Sequence, residues 1–130
     1  MRPHLFILEG RRAVPVHNVI TWALWYERAN RRVNFTRIGN IEISTVFLGL
    51  NCSYDPDDPR PLLFETMIFG GSLDGCQYRS STWARAEKYH REVVALVKKS
   101  LPLERSKKMT RRLNRVGEKL KMKKLVSELF

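Results

Sequence analysis

The chain is short of most features that announce a function. It has no apolar run approaching the roughly 18 residues that a membrane-spanning helix needs, and its N-terminus shows no apolar segment of signal-peptide type. Its only two cysteines, Cys52 and Cys76, form no CxxC pair and have no histidine at metal-ligand spacing. Reduced thiols and a cytosolic location are therefore expected. A disulfide between them would need Cα atoms within about 7 Å, which the sequence leaves open. The glycines around Gly70, Gly71 and Gly75 spell neither GxGxxG nor a terminal Gly-Lys-Ser/Thr, so no dinucleotide or phosphate loop is expected.

Acidic residues are also scarce. The 13 acids stand against 24 basic residues, for a formal charge of +11, and no acid pair accompanies a candidate nucleophile. Asp55, Asp57 and Asp58 lie close together, yet the glycine and the terminal glutamate of a calcium loop are missing. His90 has no companion at triad or metal spacing and is read as a partly buried packing residue. These absences predict a non-enzymatic chain without metal or cofactor. The charge favours an anionic partner: nucleic acid, an anionic membrane or an acidic protein.

What is present begins with two apolar stretches, 41–50 and 62–69, both rich in β-branched and aromatic residues and separated by a loop with Pro56, Pro59 and Pro61. Proline lacks a ladder donor, so this connection cannot continue a strand. In the first stretch Ile41, Ile43, Thr45, Phe47 and Gly49 alternate onto one face. The other face starts polar at Glu42 and Ser44 and turns apolar at Val46, Leu48 and Leu50. That pattern predicts a central strand whose far end is covered on both sides by a helix.

In chain order, residues 4–8 and 13–16 predict a hairpin, with Pro15 on a sheet edge. Asn18 is a helix cap, followed by a helix to about Ala29 with the apolar stripe Val19, Ile20, Ala23 and Leu24. Trp22, Trp25 and Tyr26 on that helix suit packing better than base stacking. Residues 33–38 alternate as a strand, Gly39 and Asn40 form a two-residue turn, and 76–79 form a last short strand. Ser81 or Thr82 then caps a lid helix to about Lys98, along the stripe Trp83, Ala86, His90, Val93, Val94 and Val97.

The fold expected is α+β: an antiparallel β-meander with an N-terminal hairpin, two packing helices and a basic helical C-terminal extension. Residues 1–100 form the core, and Pro102 marks its boundary with a tail over 101–130. In that tail Arg105, Lys107, Lys108, Arg111, Arg112, Arg115, Lys119, Lys121, Lys123 and Lys124 face three glutamates. Met109, Leu113, Val116 and Leu120 recur at spacings of four, three and four, with Gly117 as an interruption. As a nucleic-acid arm, this helix would neutralise phosphates. As a membrane-surface helix, it lacks aromatic insertion residues other than Phe130. A solvated helix remains a third reading. Arg28, Arg31 and Arg32 suit either a helix C-terminus or a phosphate.

The segments 44–50, 63–71 and 81–87 read STVFLGL, LFETMIFGG and STWARAE. Together with Val14-Pro15-Val16 and Ile20-Thr21-Trp22-Ala23, they resemble a family of small proteins encoded by tailed phages and prophages. The resemblance spans about residues 5–97 and identifies a family rather than an activity. Relatives tend to read Gly-Leu-Asp-His-Asn where this chain has Gly49, Leu50, Asn51, Cys52 and Ser53, so a site built on that aspartate and histidine is missing here. They also carry acids where Ala84 and Arg85 stand, and they lack the tail. Small size, positive charge and this resemblance together lead to the expectation of a non-enzymatic phage accessory protein in the host cytoplasm, one that binds nucleic acid or a nucleoprotein complex, in the manner of an inhibitor of host defence. The alternative is an oligomeric module that binds protein or sequesters a small ligand through its sheet, with the tail only solubilising it.

Overall fold

The computed structural model describes the backbone of residues 3–55 and 57–129, with side chains throughout that range except for 102–110 and 118–129. It comprises two compact units, residues 1–98 and 99–130.

The first unit opens with β1 (Leu5–Glu9) and β2 (Arg12–Val16), paired antiparallel with Phe6 opposite Pro15. The helix α1 (Val19–Arg28) follows. Four strands then make the main sheet in the order of the chain: β3 (Arg32–Ile38), β4 (Ile41–Phe47), β5 (Phe64–Phe69) and β6 (Gln77–Ser80). Every pairing in it is antiparallel. The helix α2 starts at Trp83 and runs to Leu129.

The alternation read from the sequence holds along β4, where Ile41, Ile43, Thr45 and Phe47 are buried and the residues between them are half-covered. The lid acts on the face of Thr45, since His90 of α2 bonds to it and Ala86, Val93 and Val97 are buried along the same stripe. A chain of aromatic contacts joins the two helices over this face: Trp25 to Phe47 at 5.7 Å, Phe47 to Phe64 at 5.2 Å and Phe64 to Trp83 at 6.2 Å between ring centroids. Phe6 completes the cluster from the hairpin.

Two glycines make the close approaches. Gly49, at φ +76°, packs closely on Trp22, whose Nε1 would lie 3.2 Å from an added Cβ. Gly70, at φ +96°, would place a Cβ 2.9 Å from the Asn40 carbonyl oxygen, so only glycine lets the end of β5 pass the β3–β4 turn.

Three expectations are corrected. Asn18 does cap α1, its Oδ1 accepting from the amides of Ile20 and Thr21, but the helix is rotated relative to the stripe. Val19, Ile20 and Leu24 are 64%, 71% and 62% exposed, and Ala23 is exposed with them; Trp22, Trp25 and Tyr26 form the packed side. The reason is polar as well as apolar: Trp22 Nε1–H lies 3.1 Å from the Phe6 carbonyl and 3.0 Å from that of Gly49, anchoring that side of the helix to β1 and to the end of β4. Second, α2 does not stop before Pro102 or break at Gly117. Proline in a helix withholds an N–H from the carbonyl four residues earlier, here that of Lys98, and the division between the two units falls just after Lys98. Third, His90 is fully rather than partly buried.

Candidate nucleic-acid interface

In the first unit, four of the cations have acidic partners close by. Arg79 bonds Glu65 directly across the β5–β6 ladder at 3.0 Å, and that bond holds its guanidinium protonated even more firmly than usual. Arg37 pairs with Glu42 across β3 and β4, Arg60 makes two bonds of 3.1 Å to Asp58, and Lys88 lies 3.9 Å from Glu92 one turn along α2. Residues 1–98 carry 13 basic and 10 acidic groups, whereas residues 99–130 carry 11 and 3. Most of the net charge therefore sits on a quarter of the chain.

That quarter lies on α2. At about 100° per residue, positions 105, 107, 108, 111, 112, 115, 119 and 123 fall within an arc of about 160°. Glu104 and Glu118 share the arc, and Lys121 and Lys124 lie off it. Positions 109, 113, 116 and 120 occupy a separate stripe. Arg111, Arg112 and Arg115 are exposed, as are Leu113 (66%) and Val116 (53%). The side chains of Arg105, Lys107, Lys108, Lys119, Lys121, Lys123 and Lys124 lie outside the described residues. Such a surface can neutralise a series of phosphates without reading bases.

The arginines at the end of α1 separate into different roles. Arg31 turns into the fold: its Nη1 donates to the Phe47 carbonyl at 3.0 Å and its guanidinium lies 4.1 Å from the Tyr26 ring centroid. Arg32 begins β3 and lies 4.7 Å from the ring centroid of Phe35, and Arg28 is exposed in the last turn of α1. The three do not form one uniform cationic patch, because Arg31 joins the helix end to the central strand.

Inside the sheet, His90 joins a run of hydroxyls that sequence spacing did not reveal. Its Nε2 lies 2.8 Å from Thr36 Oγ1 and its Nδ1 2.7 Å from Thr45 Oγ1, which is 2.6 Å from Thr66 Oγ1. His90, Thr45 and Thr66 are all buried. A neutral imidazole satisfies the chain in either direction, one nitrogen donating and the other accepting. Burial lowers the His90 pKa below its ordinary value. The chain runs through threonines alone, β3 and β4 supplying the two that meet His90 and β5 the one behind Thr45, so the arrangement pins α2 to the sheet.

Cys52 and Cys76 are free thiols, and no group of histidine, cysteine and acidic side chains suited to a metal occurs among the described residues. No described helix is long and apolar enough to cross a membrane. Compared with models of known protein families, with curated proteins and with solved structures, the chain matches none.

Proposed function

We propose that this is a non-enzymatic nucleic-acid-binding protein that engages its target, free or within a nucleoprotein complex, through the basic arc of α2. The observation that carries the reading is the uneven charge: a first unit with 13 basic residues against 10 acidic ones, and a second with 11 against 3. A one-signed helix of this kind gains by releasing counterions from phosphates, and the gain is steeply dependent on salt. The resemblance to phage-encoded proteins supports a setting in the cytoplasm of an infected bacterium and a counter-defence role there.

Fluorescence anisotropy with a labelled duplex and a labelled single strand, from about 50 to 200 mM salt, tests it. The full-length chain should bind with a steep linear fall of log affinity against log salt. Replacing Arg111, Arg112 and Arg115 together by Glu should lower that slope by at least about three and weaken binding to both probes, because attraction becomes repulsion at three sites. Binding that ignores salt, or survives the triple reversal, would remove the tail from the interface.

A second reading is favoured by one observation, the outward apolar stripe of Val19, Ile20 and Leu24 on α1. Such a patch on a small domain suits self-association or a protein partner. Light scattering on the triple reversal variant separates the readings, since an oligomer held by α1 persists when the tail's charge is inverted.

A further inference from the structure

Between β6 and the part of α2 within the first unit lies a cleft of about 280 Å3, lined by Tyr78, Tyr89, Glu92, Val93 and Leu96. Val93 is buried and Leu96 is exposed at the rim, so aliphatic and phenolic surfaces make most of the wall. The volume lies just below the usual range for ligand clefts, about 300–1,000 Å3, and suits one planar ring system. Glu92 is its one charged lining residue. The nearest cation, Lys88, stands 3.9 Å away and both side chains are more than half exposed, so the pair is weak and the carboxylate keeps acceptor capacity.

On the reading that the partner is a nucleic acid, this combination has a specific chemistry. Tyrosine rings stack on any base without regard to sequence, and a carboxylate in the same cleft accepts hydrogen bonds only. Guanine presents N1–H and N2–H side by side on its Watson–Crick edge, matching the two oxygens of one carboxylate. Adenine and cytosine each set a single amino donor beside a ring nitrogen that repels the carboxylate. Thymine and uracil hold their N3–H between two carbonyls. We propose that the cleft takes one unpaired guanine, its ring against Tyr78 and Tyr89 and its Watson–Crick edge on Glu92, so that the protein prefers guanine-bearing single strands. Duplex is excluded from the cleft because pairing occupies that edge.

The experiment uses the full-length chain and two labelled twelve-nucleotide strands, one all thymidine and one with a single central guanosine. The guanosine strand should bind roughly tenfold more tightly at the same salt concentration. Glu92→Gln, at an exposed position that leaves the fold intact, should bring the two strands to equal affinity, and Tyr89→Leu should weaken both strands, the guanosine strand the more. Free GMP, and not AMP, should abolish the preference in the wild-type chain. Equal affinity of the two strands, or a preference that survives Glu92→Gln, overturns the cleft while leaving salt-dependent binding by the basic arc in place. Failure of both strands to bind removes the nucleic-acid reading and the cleft with it.

Discussion

Single residues carry most of the core's specificity. Phe47 and Phe64 are fully buried and join the aromatic contacts of both helices, so Phe47→Ala or Phe64→Ala should each cost about 3–5 kcal/mol, measured by denaturant unfolding. Their place was legible because each stands in an apolar stretch bounded by turn formers. The environment of His90 was not. Its stripe marked it as facing the core, but its partners Thr36 and Thr45, and Thr66 behind Thr45, lie on three strands far away in the chain, and no local spacing encodes them. The lowered pKa of His90 has a definite sign. The unfolded chain takes up a proton near pH 6.5 and the folded chain only below that, so the contribution is fully present above about pH 6.5 and is lost as pH falls towards the folded value. The stability advantage of the wild-type chain over His90→Gln should therefore shrink as pH is lowered from 7 to 5, which parallel urea titrations would show; an advantage that widens would reverse the assignment.

Among the elements, the hairpin, the β3–β4 turn and the lid helix were all readable from turn chemistry and periodicity. The orientation of α1 was not, because its apolar stripe competes with a tryptophan N–H that finds two backbone carbonyls. Hydrophobic spacing alone cannot register such a bond. Ile20→Lys and Leu24→Lys should thus leave thermal stability within about 0.5 kcal/mol of wild type, as exposed positions do. Trp22→Phe keeps an aromatic ring but takes the indole donor from the Phe6 carbonyl and leaves that of Gly49 with the Phe6 amide alone, and should cost about 1–3 kcal/mol. Edge protection is also visible at this scale: the Phe35 amide of the edge strand β3 donates to Asn34 Oδ1 at 2.7 Å, so that donor is occupied without a further strand. The length of α2 escaped the sequence because a proline at position 102 is a strong stop signal, yet the helix spans it. A missing hydrogen bond costs less than ending a helix that continues favourably on both sides.

For the whole molecule, the division after Lys98 separates a nearly charge-balanced sheet unit from a strongly basic helical one. A chain ending at Lys98 retains every residue of the buried cluster and should unfold in one cooperative transition by calorimetry, while its affinity for nucleic acid falls by orders of magnitude at 100 mM salt. A loss of cooperative unfolding would show that the second unit supports the first. The tail's charge was legible by counting; which strands meet the lid, and the cleft beside it, depend on tertiary placement that counting cannot supply. The Gly49 carbonyl has a kinetic consequence. It accepts from the Phe6 amide at 2.9 Å and from the Trp22 indole at 3.0 Å, while the Asn51 amide donates back to the His4 carbonyl at 3.0 Å. Hairpin, first helix and the segment after the central strand therefore meet at one peptide group, and detaching any of them leaves polar groups of the others with fewer partners. The Phe6 and Asn51 amides should exchange with deuterium at one shared rate, set by a single opening of the N-terminal third of the chain, rather than fraying independently from the terminus.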